Sequence, residues 1–206
     1  MNGYELIEAL RDDHETALSR LGSSKALYAL TGGEMDAPAI RAAARDEAET
    51  AARLFEEWAE IEDDSDAADL FSAVADAETD HRDAVESEDT NPDTDRRMYE
   101  VLDGFENTEE RAGGLLARSI VASRLAGQMV GFFVGSADTS SADAFRSIRD
   151  DYDDQLDRAA ELLDSVCDDD ADWERAHAAA DTVVDAAYDQ YVETLESMGV
   201  KPKNVC

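Results

Sequence analysis

Apolar residues recur along this chain at intervals of three and four, the period of an amphipathic helix, and no β-branched runs mark strands. The pattern predicts six helical segments, roughly over residues 2–30, 37–62, 66–87, 107–136, 140–166 and 171–198, with a short helix around 95–103. Turn chemistry supports the divisions. Thr31, Gly32 and Gly33 close the first segment, and Asp36 with Pro38 opens the second as an N-cap and an early proline do. An acidic turn from Glu62 to Asp66 separates the second from the third. Residues 87–95, with Asn91 and Pro92, read as a linker, and Asp138 to Ser141 and Cys167 to Asp170 mark the last two breaks. The fold class is therefore all-α, in a single domain spanning 1–206.

Polar residues inside the apolar stripes carry the chemical information. In the third segment Phe71, Val74, Glu78, His81 and Val85 share one face, so a carboxylate and an imidazole point into a core. Such groups are costly to bury unless something pairs with them, and at i, i+3 they can grip a common metal ion. In the second segment Ile40, Ala44, Ala51, Leu54, Trp58 and Ile61 form a seam that includes Glu47, with Asp46 and Glu49 assigned to the polar side. His14 falls on the inward seam of the first segment, with Ile7, Leu10 and Leu21. His177 does the same in the last, with Trp173, Ala180 and Val184. Glu174 precedes His177 by three, but it aligns with Asp181 and Asp185 on the solvated face. Glu47, Glu78 and His81 are thus the leading metal-ligand candidates, with His14, His177 and Glu174 as weaker ones.

Composition narrows the function classes. Acidic residues number 51 against 18 basic ones, a net charge of −33, so a phosphate-binding nucleic-acid surface is not expected. At 43% hydrophobic the chain is folded rather than a disordered acidic tail, and its composition resembles that of cytosolic proteins from salt-accumulating halophiles. No membrane span or signal peptide is visible, so a cytoplasmic protein is expected. Cys167 and Cys206 have neither disulfide nor metal-ligand spacing. Against this acidity two runs stand out. Residues 16–33 and 111–137 contain no Asp or Glu, and the second carries Gly127, Gly131 and Gly135 at spacing suited to close helix approach. Both read as central helices, or as the surface of a homodimer.

The stretch from Ile40 to Glu86 resembles the first helix pair of rubrerythrins and other ferritin-like proteins. The matching residues are Glu47 on one helix, then Phe71 seven residues ahead of Glu78 and His81. The resemblance implies a ferritin-like four-helix bundle with additional helices, holding iron, or manganese, at Glu47, Glu78 and His81. Segment 37–87 is then the intact pair, 107–166 a degenerate second pair, and 1–33 and 171–198 extra packing helices. In the second pair Tyr152 and Gln155 fall where Glu78 and His81 lie in the first. Asp151 sits one residue out of phase, about 100° around the helix, and no acid lies opposite Glu47.

Two functions are compatible with this pattern. One is a rubrerythrin-like metalloprotein handling peroxide or oxygen with electrons from a separate donor protein. The other is a non-catalytic ferritin-like scaffold with a regulatory or protein-interaction role, its carboxylates neutralised internally by Arg118, Arg124 or Lys25. A small-molecule pocket lined by Tyr152, Gln155, Tyr188 and Tyr191 is a third, less specific reading.

Overall fold

Every long helix begins at a side chain able to satisfy its free backbone N–H groups. Asn2 forms a reciprocal capping box with Glu5, and Asp36, Asp64, Asp138 and Asp169 accept from the first turns that follow them. The computed structural model describes residues 1–85 and 97–202, which contain nine helices and no strand. The helices are α1 (Gly3–Asp13), α2 (Glu15–Leu21), α3 (Ser24–Leu30), α4 (Ala37–Ile61), α5 (Ser65–Ala84), α6 (Arg97–Asp103), α7 (Thr108–Gly135), α8 (Thr139–Val166) and α9 (Asp170–Ser197). The all-α class is as expected. The count is higher than six, because the first predicted segment is three helices and the short helix is present as α6. The linker expected over 87–95, the end of the third predicted segment, the first residues of the short helix and Cys206 all lie outside the described residues.

The breaks in the first segment have local causes. His14 leaves helical geometry at ψ 23°, directly after Asp12 and Asp13, two residues that favour helix ends over interiors. Gly22 and an extended Ser23, at ψ 162°, make the second break. The apolar period runs on across both, which is why periodicity alone reads one helix.

α7 packs chiefly on α8 and α9, while α4 and α5 pair with each other and α5 also touches α8. Every residue of α7 from Arg111 to Ala122 is buried. Gly113 is where α9 comes closest. A Cβ there would sit 2.3 Å from the Ala176 carbonyl oxygen, so only glycine permits this packing. Gly3 plays the same part against the backbone of Ala160 in α8, also at 2.3 Å. Gly127, Gly131 and Gly135 do not. A Cβ at any of them would meet nothing within 4 Å, so the spacing that suggested close helix approach faces open space in this chain. No helix among the described residues is long and apolar enough to cross a membrane.

The core divides into two apolar clusters. The larger contains Leu54, Phe55, Trp58, Phe71 and Val74 with Leu115, Leu116, Leu163 and Val184. The smaller contains Ile40, Val85, Ala126, Phe133, Phe145 and Tyr152. Glu47, Glu78, His81 and Gln155 lie along their helices where one cluster gives way to the other, and Arg118 lies one turn from the same boundary on α7. A layer of polar side chains thus crosses the bundle between two apolar ends. Two details of the expected α4 seam differ: Ile61 is 61% exposed at the helix end, and Asp46, assigned to the polar side, is buried.

Candidate functional site

The α5 stripe is buried as its spacing implies, with Phe71, Val74, Glu78, His81 and Val85 all below 5% exposure. Glu78 is fully enclosed, so its charge must be compensated from within. The compensating group is Arg118 of α7, also fully buried, whose Nη1 donates to Glu78 Oε1 at 2.5 Å. The same Nη1 lies 3.2 Å from Gln155 Oε1, and Nε donates to the Tyr99 hydroxyl at 3.3 Å. The guanidinium is flanked by the rings of Tyr152, 4.9 Å from its centroid, and Phe55, at 5.6 Å. These π-faces favour a cation there.

The rest of the layer extends from this pair. Gln155 Nε2 donates to Glu78 Oε1 at 3.4 Å, and the Tyr152 hydroxyl donates to Oε2 at 3.5 Å. His81 bridges inside and outside: Nδ1 is 3.3 Å from Glu78 Oε2 and Nε2 is 2.9 Å from Asp151 Oδ2. Carboxylates on both ring nitrogens assign His81 as a double donor, hence an imidazolium. Glu47 joins through α6, accepting from the Tyr99 hydroxyl at 2.6 Å.

Protonation follows from this geometry. Burial alone would raise the Glu78 carboxyl, but the charge of Arg118 and the hydrogen bonds from His81 and Arg118 bring it down to about 2. Burial would likewise lower His81, and the hydrogen bond and charge of Glu78, with Asp151 behind them, reverse this and raise it. The Tyr99 and Tyr152 hydroxyls are raised, first by burial, and stay neutral donors. The core therefore carries an anion between two cations, with polar neutral groups around it.

The residues expected to bind metal end up in three places. Glu78 and His81 share one site. Glu47 reaches the same layer but turns to Tyr99. His14 and His177 meet elsewhere, at Asp181 of α9: His14 Nε2 is 2.8 Å from Asp181 Oδ1, His177 Nε2 is 3.7 Å from it, and Asp185 lies 3.6 Å from His14 Nδ1. Glu174 is exposed, as its position on the solvated face implies. Of the proposed internal cations, Arg118 alone reaches the site. Lys25 donates to the carbonyl of Lys201, and Arg124 packs against Gly22. Tyr188 and Tyr191 stack on each other in α9, apart from Tyr152 and Gln155.

The fit of a metal can be judged from the donors. Glu78, the central carboxylate, already accepts from Arg118, and a metal ion there would bring a second strong positive charge against a guanidinium. Among the described residues no three His, Cys, Asp or Glu side chains converge as a metal site requires. The donor set as arranged does not fit iron or manganese. An apolar cleft of about 30 Å3 reaches the layer at Glu47, His81 and Tyr152, walled by Ala44, Ala122, Ala126 and Met129. It has room for a water molecule or two, not for an organic substrate.

Two members of the layer escaped the sequence reading. Tyr99 lies beyond the linker, and nothing in its spacing marks it. Asp151 was assigned to the outside, and at 52% exposure it is largely there, yet its carboxylate bends back to His81. The geometry thus defines an all-α protein with a charge-compensated polar layer at its centre. Comparisons with protein-family models, curated proteins and solved structures find no match for the chain.

Proposed function

We propose that this protein is a non-catalytic, ferritin-like scaffold in which the Arg118 guanidinium takes the place of a metal ion, and that its role is regulatory or one of protein interaction. The observation that carries this reading is the fully buried Glu78–Arg118 pair at 2.5 Å. A carboxylate and imidazole projecting inward from one helix are what a ferritin-like metal site uses. Here the positive charge comes from the protein itself, and Tyr152 and Gln155 complete the hydrogen bonding where the resemblance would place a second ligand pair. No electron donor is then required. The acidic coat suits the cytoplasm of a cell with high internal salt. If the acid-free runs form a homodimer, the open Gly127, Gly131 and Gly135 face of α7 is where a second helix has room to lie.

The test is metal content. Protein purified in molar KCl without chelators, then loaded anaerobically with Fe(II) or Mn(II) and desalted, is expected to retain well under one equivalent. Glu78→Ala and His81→Ala should leave that background unchanged. Near-stoichiometric metal, lost in both variants, would restore the peroxide- or oxygen-handling metalloprotein.

A further inference from the structure

The polar layer does not complete its own hydrogen bonding. Arg118 is fully buried, and its Nε and Nη1 have acceptors, but Nη2 has none among the described residues. Tyr152 is also buried, and its hydroxyl reaches Glu78 only at 3.5 Å, the outer limit of a hydrogen bond. A hydroxyl has one proton and two lone pairs, so acceptor capacity remains at Tyr152. Buried polar groups with capacity to spare are commonly completed by ordered water.

An opening reaches this layer. The cleft that ends at Glu47, His81 and Tyr152 runs between α3, α4, α5, α7 and α8, with Leu30, Ala126 and Phe145 in its apolar walls. Its size and charge decide what it can hold. About 30 Å3 admits one or two molecules of water size. An anion would meet the Glu47 carboxylate. A cation would meet the His81 imidazolium, whose two nitrogens already face Glu78 and Asp151. A small neutral molecule that both donates and accepts is left. Glu47 can serve it, since a carboxylate has about four acceptor positions and the Tyr99 hydroxyl takes one.

We propose that the cleft is a site for resident water, one or two molecules bonded to the Glu47 carboxylate and the Tyr152 hydroxyl, which joins α4 to α8 as a constitutive part of the polar layer. Such a site is independent of which partners the protein has.

Full-length protein is crystallised from KCl and, separately, from RbBr, whose ions carry an anomalous signal. Protein with labelled alanine methyls is examined in KCl solution for NOEs from water. The expected density is one or two peaks at about 2.6–3.2 Å from a Glu47 carboxylate oxygen and the Tyr152 hydroxyl, with no anomalous signal in RbBr. NOEs with the sign of a long-resident water should reach the Ala48, Ala122 and Ala126 methyls, which line the cleft, and not Ala180 in the larger apolar cluster. Ala126→Leu fills the cleft and should abolish both signals. Ala44→Val fills it from the α4 wall and replaces that variant if circular dichroism shows it unfolded. Tyr152→Phe should displace or remove the peaks. Wild type with neither density nor NOEs overturns the proposal. An anomalous peak in the cleft, which makes the occupant an ion, or peaks unmoved by Tyr152→Phe, overturn it as well.

Discussion

Replacing Arg118 with Met keeps most of the side-chain volume and removes the charge that Glu78 depends on. Removing one partner of a buried ion pair costs about 3–5 kcal/mol, because the remaining charge is left uncompensated. The protonation of Glu78 gives an independent figure. Its carboxyl is brought from 4.5 to about 2, a difference of roughly 2.5 units, so Glu78 contributes about 3 kcal/mol at neutral pH at 1.36 kcal/mol per unit. That figure is of the same order and includes the share of His81. The sign is that of a depressed acid: the contribution is complete above pH 4.5 and is lost as pH falls towards 2. With a denaturant slope of about 2 kcal/mol/M in urea, Arg118→Met should lower the unfolding midpoint at pH 7 by about 2 M. Adding Glu78→Gln removes the orphaned charge, and the double variant should regain most of the loss. The assay is urea unfolding followed by circular dichroism, for wild type, both single variants and the double variant, at pH 7 and pH 4. Arg118→Met within about 1 kcal/mol of wild type, with no gain from Glu78→Gln, would refute the claim that this pair organises the core.

Three further outcomes are expected. His81 is raised by its carboxylate partners, so its contribution is complete below its ordinary value near 6.5 and is lost as pH rises through its folded value; Asp151→Asn should lower its titration midpoint by NMR. Gly3→Ala and Gly113→Ala force a Cβ into backbone at 2.3 Å and should destabilise by at least 1–3 kcal/mol. Gly127→Ala and Gly131→Ala enter open space and should stabilise by roughly 0.5–1 kcal/mol, all four read by thermal unfolding. Tyr99→Phe removes the donor to Glu47 and the acceptor for Arg118 Nε, and should cost about 1–3 kcal/mol in urea unfolding with helix content unchanged.

How far the chain could be read depended on the range of the interaction that decides each position. Caps and the 3.6 period are local, so the Asp36 cap, the acidic turns over 62–66 and 167–170, and the burial of Glu78 and His81, were legible. The break at His14 was not, because Ile7, Leu10 and Ala17 keep the helical period across a local break that depends on the backbone angles of one residue. Asp151 was misplaced for a related reason: the period fixes where a Cβ points, while a carboxylate on a rotatable stem can reach a neighbouring helix from the wrong phase. The glycines show the same limit. Spacing marked 127, 131 and 135, but which glycine meets a neighbour depends on where the neighbour is, and α8 and α9 press on Gly3 and Gly113 instead.

Arg118 was among the cations the sequence offered for neutralising the buried carboxylates, and nothing local distinguished it from Arg124 in the same acid-free helix. Their six-residue separation turns them about 120° apart, so one can face the polar layer while the other faces the α2–α3 turn. On the proposed reading the two departures from a ferritin-like pattern are one physical change. With Tyr152 and Gln155 in place of a second carboxylate and histidine, the central site holds one fully buried anion, Glu78, balanced by the Arg118 guanidinium, while the His81 imidazolium is balanced by Asp151 on its outer nitrogen. A divalent ion there would set a further strong positive charge against the Arg118 guanidinium. Charge balance thus couples the identities of residues 78, 118, 152 and 155, which sit on three helices and are brought together only by the fold.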